Sequence, residues 1–113
     1  MTPYSPARGD VVLLDFNPQS GHEQAGKRPA LVISDDLFNK VTGFAVVCPI
    51  TNQTKGYPFE VKVEGTKQCT GVVLADQFKS LDWSARGART VDQVSPDVVE
   101  AVVDLVAKIV KVK

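Results

Sequence analysis

The nine residues from Gly21 to Pro29, GHEQAGKRP, hold the chain's only histidine together with a carboxylate, an amide, an arginine and two glycines. His22 and Glu23 are side chains of the kind that pass protons. Arg28 offers a permanently charged, planar fork of donors that fits an oxyanion. Pro29 biases Arg28 toward extended backbone, and the apolar run ALVIS follows directly. A polar, charged loop is thus tied at its C-terminal end to a buried strand, and such a scaffold fixes where loop side chains point. Proton transfer and anion binding are the chemistry this set can do. A solvated hairpin tip with ordinary surface charges explains the same residue types, and both readings stand at this point.

Composition narrows the class. The chain has 113 residues, which fits one domain over 1–113 with one modest core. Hydrophobic residues make up 43% and charged residues 23%, so a packed globule is expected rather than a disordered chain. No apolar run approaches about 18 residues, and the N-terminal MTPYSPARGD lacks an apolar signal core. A cytoplasmic location without membrane insertion is the expectation. Two cysteines, Cys48 and Cys69, set no disulfide framework, and a single histidine without close cysteine spacing gives no zinc motif. Cys48, in AVVCPI, reads as a small buried hydrophobe. The formal net charge is zero, which argues against non-specific duplex binding. The charge is unevenly placed: Asp92 to Ala107 holds four acids and no base, while Lys27, Arg28, Lys55, Lys79, Arg86 and Arg89 come earlier. A local basic face on a neutral protein fits that distribution.

Strands must hold these groups. Residues 1–8 read as an extended arm. Asp10–Phe16, DVVLLDF, is rich in Val and Leu and stops at Asn17-Pro18, as a strand does. Ala30–Ser34 is a second strand, and Phe44–Ile50 a third that is buried on both faces. Between them Asp35–Val41 fits a short helical turn capped by Asp35 or Ser34. Pro58–Val63 alternates apolar and charged residues from Phe59 onward, the pattern of a half-buried strand. Gly71–Ala75 and Gly87–Val91 add two short strands, and the mixed stretch Asp76–Arg86 offers Leu81 and Trp83 as packing anchors. Ser95-Pro96-Asp97 opens a helix with a cap, a proline at the first position and an acid in the first turn. Val98, Val102, Leu105, Val106 and Ile109 form its apolar stripe. Its many valines lower helix propensity, so packing must hold it. Short, closely spaced strands with one terminal helix predict a mainly β protein, a small β-barrel covered on one side.

Four stretches, in order, resemble the MazF/PemK family of toxin endoribonucleases: GDVVLLDFNPQSGHEQAGKRPALVIS, PITNQTKGYPFEV, GVVLADQFKS and SARGA. The likeness runs from about Gly9 to Val110. The KGYPFEV and ADQ segments look like MazF proper more than the Kid/PemK branch. The resemblance implies an SH3-like β-barrel of the CcdB/PemK/MazF type, a homodimer, and neither metal nor organic cofactor. It implies the toxin of a type II toxin–antitoxin system, which cleaves single-stranded RNA at specific sequences without the ribosome. The products would be a 2′,3′-cyclic phosphate, or a 3′-phosphate, and a 5′-hydroxyl. A MazE-like antitoxin would hold the toxin inactive by laying a disordered segment over the RNA groove.

Metal-free cleavage by the 2′-hydroxyl needs a base for its proton, a donor for the departing 5′-oxygen, and stabilised charge on the phosphoryl oxygens. Arg28 matches the family's catalytic arginine in its RP dipeptide, and Thr51, at the end of PIT, matches the catalytic threonine. On residue type alone Thr51 is a strand-end hydroxyl bonded to turn backbone, and Arg28 a surface arginine paired with Glu23 or Asp35. The resemblance favours the catalytic readings. His22 and Glu23 are further catalytic candidates, His22 more for binding or local orientation than as an essential base, Glu23 for orienting Arg28 or contacting a base edge. Phe16, Asn17, Ser20, Lys27, Gln77 and Arg86 are expected to bind RNA, because unstacked bases lie on aromatic faces and guanidinium planes. Phe16 fits the core equally well. Kid-like members carry an arginine at the position of Leu74, so their catalytic set does not transfer whole; Asp76 is placed near the groove or the core. Trp83 reads as packing, and Lys55 and Lys79 as solvated charges. The competing class is a CcdB-like toxin that binds DNA gyrase through the terminal helix without catalysis; the ending VAKIVKVK lacks the motif expected for it.

Overall fold

The computed structural model describes residues 3–17 and 26–112. In chain order the elements are β1 (Asp10–Asp15), β2 (Lys27–Val32), α1 (Asp36–Thr42), β3 (Phe44–Thr51), β4 (Glu60–Lys62), β5 (Val72–Leu74), a 3₁₀ turn (Ala75–Gln77), β6 (Lys79–Asp82), β7 (Arg89–Gln93) and α2 (Pro96–Val110). The chain is mainly β with a terminal helix, as its sequence predicts. The strands pair antiparallel along the path β4-β5-β3-β2-β1-β7, with β6 attached to β3 off that path. The long strand β3 makes this arrangement possible. Its first half, Phe44–Val47, pairs with β6, and its end, Ile50 and Thr51, pairs with β5. Its other edge carries β2.

Two cores explain the near-continuous apolar runs. Val11, Leu31, Cys48, Ile50 and Val73 meet Val98 and Val102 of α2 on one face. Val12, Leu14, Phe16, Ala30, Val32, Ala45 and Val47 form the second core, closed by Leu81, Trp83 and Ala88. Successive residues of a strand point to opposite faces, so β1 and β3 must be apolar at both parities. Leu105 and Val106 continue the α2 stripe onto the first core. Ile109 departs from that stripe and is 42% exposed, and Val110 and Val112 beyond it are more exposed still. The sheet's cover ends before the helix does.

Several boundaries differ from the sequence reading for identifiable reasons. β2 starts at Lys27 rather than Ala30, because β1 draws Lys27 and Arg28 into register with Asp15 and Leu14. β4 is reduced to Glu60–Lys62, since Pro58 and Phe59 belong to the turn that precedes it. β6, inside the mixed stretch, was not expected, and β7 starts at Arg89 rather than Gly87. Ser95 sits at the N-cap of α2 in extended backbone, but its side chain makes no capping bond.

Asp35, not Ser34, caps α1 by accepting the Leu37 N–H at 2.9 Å. Ser34 joins a buried hub instead. Its hydroxyl donates to Asn39 Oδ1 and accepts the Val46 N–H. Asn39, fully buried, donates from Nδ2 to the carbonyls of Pro6 at 3.0 Å and Ser34 at 3.2 Å. Its own carbonyl accepts Trp83 Nε1–H at 2.9 Å. The hub thus fastens the N-terminal arm, α1, β3 and the turn after β6 to one another. Each buried polar group left unpaired costs about 1–3 kcal/mol. Asn39→Ala is therefore expected to lower unfolding free energy by roughly 3 kcal/mol, read as the shift in a urea melt.

Candidate active site

β2 places Arg28 and β3 places Thr51. The ladder between the two strands pairs Ala30 with Pro49, Leu31 with Cys48 and Val32 with Val47. Carried two residues further, that register sets Arg28 opposite Thr51. Both share the parity of Ala30, Val32 and Val47, and so lie toward the second core, on the face away from α2. Thr51 is buried, and its Oγ1 accepts the Gln53 N–H at 3.1 Å, which leaves the hydroxyl proton to donate. Arg28 is half-buried, and its Nε is sealed from solvent without a hydrogen-bond partner among the described residues. A desolvated donor in that state is poised for an acceptor.

The end of β3 is crowded in a way that specifies glycine. Gly71 has φ +112°, and a Cβ there would lie 2.3 Å from the Thr51 carbonyl oxygen. Only glycine allows β5 to enter so close beside Thr51. The neighbouring turn is folded on Asp92. That carboxylate accepts N–H groups from Lys67 at 3.0 Å, Gln68 at 2.8 Å, Cys69 at 2.8 Å and Gln93 at 2.9 Å. These bonds, led by the one from Cys69, hold the Asp92 carboxyl well below the usual carboxylate range. Thr70 Oγ1 then donates to Asn52 Oδ1 at 3.0 Å, which ties the turn to the residue after Thr51.

The loop carrying Ser20, His22 and Glu23 lies outside the described residues, and those three candidates lie outside with it. Its neck is well defined. Phe16 N–H donates to the Gly26 carbonyl at 2.9 Å, and Gly26 N–H donates to Asn17 Oδ1 at 3.0 Å. Arg86 Nη1 donates to the carbonyls of Asp15 at 2.9 Å and Asn17 at 2.7 Å. Arg86 is therefore a clamp on the neck and Asn17 a latch across it, while Lys27 is exposed. Phe16 is only 2% exposed in the second core. Of its two sequence readings the core one is realised, and the expected stacking face is corrected accordingly. Its parity, shared with Val12 and Leu14, requires this.

A groove of about 510 Å³ opens beside Thr51, lined by Gln53, Lys55, Tyr57, Glu60, Leu74, Asp76 and Gln77 as well. Gln77 is one of the residues that line this groove. Asp76 belongs to the groove rather than to either core, and Lys55, an exposed charge as its sequence reading has it, also lines the groove. Tyr57, which the sequence did not single out, donates from Oη to Asp76 Oδ1 at 2.5 Å. Desolvation, and then the bond to Asp76, raise the Tyr57 pKa, so the phenol stays a donor. Burial and the Asp76 charge push the Cys48 thiol up to about 12, which keeps it protonated and inert. Among the described residues no three His, Cys, Asp or Glu side chains cluster as metal ligands would.

The scaffold is thus mainly β, with Arg28 and Thr51 in register on adjacent strands and a polar groove beside Thr51. Residues 7–110 match the family described as PemK-like, MazF-like toxin of type II toxin-antitoxin system, and the chain belongs to this family. Endoribonuclease toxin MazF of Escherichia coli strain K12 is 49% identical over 94 residues, covering 83% of this chain and 84% of that one. Endoribonuclease PemK of Escherichia coli is 36% identical over 99 residues, covering 84% and 74%. The crystal structure of MazF (Form-I) from Deinococcus radiodurans superposes with a TM-score of 0.91 at 44% identity, over 97% of this chain and 100% of that one. A MazE-MazF crystal structure (Form-II) from the same organism gives 0.84 at 38% identity, over 98% and 100%.

The depressed Asp92 carboxyl carries a pH signature. In the unfolded chain Asp92 titrates near the ordinary value of about 4. Its stabilisation is complete above that value and is lost as pH falls through the lower folded-state value. The Asp92→Asn variant is expected to be less stable at neutral pH. Its stability should also fall less steeply below about pH 4 than that of the unaltered protein, as read by denaturant melts across pH.

Proposed function

We infer that this chain is the toxin of a type II toxin–antitoxin pair and acts as an endoribonuclease on single-stranded RNA, at specific sequences and without the ribosome. The reading is carried by the register of β2 and β3, which aligns Arg28 with Thr51, in a chain 49% identical to an endoribonuclease toxin. The substrate's 2′-hydroxyl attacks the adjacent phosphorus and the 5′-oxygen departs. A 2′,3′-cyclic phosphate, or a 3′-phosphate after hydrolysis, and a 5′-hydroxyl result. Arg28 holds the non-bridging oxygens where negative charge grows, and desolvation at its Nε strengthens that contact. The Thr51 hydroxyl donates to a phosphoryl oxygen or orients the 2′-hydroxyl. Glu23 and His22 are the candidates for the proton transfers, since arginine is a reluctant acid. The charge stabilisation comes from the protein, so the scheme needs no metal ion.

RNA lies along the groove, with Asn17, Ser20, Lys27 and Gln77 contributing contacts and Arg86 acting through the loop neck. A MazE-like antitoxin is the partner, as the MazE-MazF crystal structures of relatives suggest. No helix among the described residues is long and apolar enough to cross a membrane, and the cytoplasm, where messages are, is the place of action. Membership of the PemK/MazF family disfavours the gyrase-binding alternative. A second copy of the chain completes the assembly. Leu37 and Val41 of α1 are 67% and 74% exposed, with Phe38 and Phe44 beside them. The adjacent β6 pairs with β3 alone among the described residues. Exposed apolar side chains gathered in one place form a surface that calls for cover.

Arg28→Ala and Thr51→Ala should each lower kcat by about 10²–10³-fold on a long RNA read by primer extension, with circular dichroism unchanged. Cleavage by the unaltered protein should persist in EDTA. Full activity of the Arg28 variant at matched folding would remove that residue from the mechanism. In light scattering the unaltered chain should run as a dimer and the Leu37→Asp, Val41→Asp variant as a monomer; a variant that stays dimeric places the interface elsewhere.

A further inference from the structure

We propose that Glu60 is a positioning residue of the groove, holding the loop between β3 and β4 in the conformation that presents Lys55 and Tyr57 to RNA. The inference rests on the ribonuclease reading above and concerns the same site. Residues 52–59 form no regular element, so their shape must come from specific bonds. One carboxylate supplies most of them. Oε2 of Glu60 accepts the Lys55 N–H at 2.8 Å, and Oε1 accepts the Gly56 N–H at 2.9 Å and the Thr54 hydroxyl at 3.0 Å. Its own N–H donates to the Tyr57 carbonyl at 3.2 Å. Gly56, at φ +74°, supplies the left-handed residue that the turn around this carboxylate requires.

Glu60 is a suitable anchor because it is itself fixed. It is the first residue of β4 and stands in register with Leu74 of β5. The loop is thereby referred to the sheet that also holds Thr51. From the gathered turn, Tyr57 reaches over to Asp76, with its ring 6.3 Å from that of Phe59. Among the described residues that line the groove Lys55 is the one cation, so its placement bears on how the RNA backbone is drawn in beside Arg28.

The charge of Glu60 would otherwise be out of place. A free carboxylate in a groove for a polyanion repels its ligand. Three donors from the loop surround this one, so its charge is satisfied by the protein although Glu60 lines the groove. Those backbone bonds, Lys55 first, also draw its carboxyl below the usual range. Glu60 thus acts on RNA through Lys55 and Tyr57.

Glu60→Gln tests the role, since it sets an amide donor against amide donors at nearly unchanged size. KM for a long RNA substrate should rise about tenfold while kcat at saturation stays within about twofold. The amide hydrogens of Lys55 and Gly56 should exchange faster in the variant, measured without RNA. In a Lys55→Ala, Tyr57→Phe background the same substitution should raise KM little further, because its effect runs through those two side chains. An unchanged KM at matched melting temperature, or a rise equally large in that background, overturns the role. Should Glu60→Gln fail to fold, Thr54→Val removes one of the three bonds from the exposed side. It is read in the same assays, where a smaller KM rise with faster exchange supports the role and no change overturns it. Absence of cleavage by the unaltered protein would instead overturn the ribonuclease reading, and the exchange measurement would then judge the loop clamp by itself.

Discussion

Strand β3 serves three neighbours at once, and the site depends on that. β6 takes its first half, β5 its end, and β2 its opposite edge. A slip of one residue against β2 would turn Arg28 or Thr51 to the other face and bury apolar side chains on the wrong side of the sheet. The two cores resist any such slip, because both parities of β3 are already committed to packing. The backbone register that sets residue 28 opposite residue 51 is therefore a by-product of core packing.

Around this rigid centre, irregular backbone is organised by acids turned inward. Asp92 gathers the turn before β5, and Glu60 gathers the loop after β3. Asp10 accepts the Ala7 N–H, the Thr90 hydroxyl and the Gln93 amide, and so ties the N-terminal arm to β7. The formal net charge of zero conceals this division. Several negative charges are satisfied by the protein's own N–H and O–H groups, while Lys27 and Lys55 stand at the surface. A neutral protein can in this way offer a locally positive face to a polyanion.

How much of this could be read from residues alone varied with the kind of signal. β1, β3 and α2 were legible because Val, Leu and Ile recur at the parity or period that burial demands. Asp35 and Gly43 bracket α1 as cap chemistry predicts. β6 was not legible, since KSLD holds one large apolar side chain and is recruited by backbone pairing. The Asn39 hub was missed because a buried asparagine looks in sequence like any polar residue of a short helix. Arg28 and Thr51 lie 23 positions apart, and only the likeness to a family linked them before the ladder did. Glu60 sat in an alternating run that announced a strand but not that its side chain would fold back over the preceding loop, and Tyr57 lay just ahead of that run.

The bond from Arg86 to the neck spans 71 positions of sequence, and β1 finds its outer partner in β7, which ends at Gln93. Contacts so distant along the chain form late. On the ribosome, the segment bearing Arg28 emerges early but stays without its clamp until most of the polypeptide has followed. The neck of the loop therefore takes its final form only once most of the chain has been made.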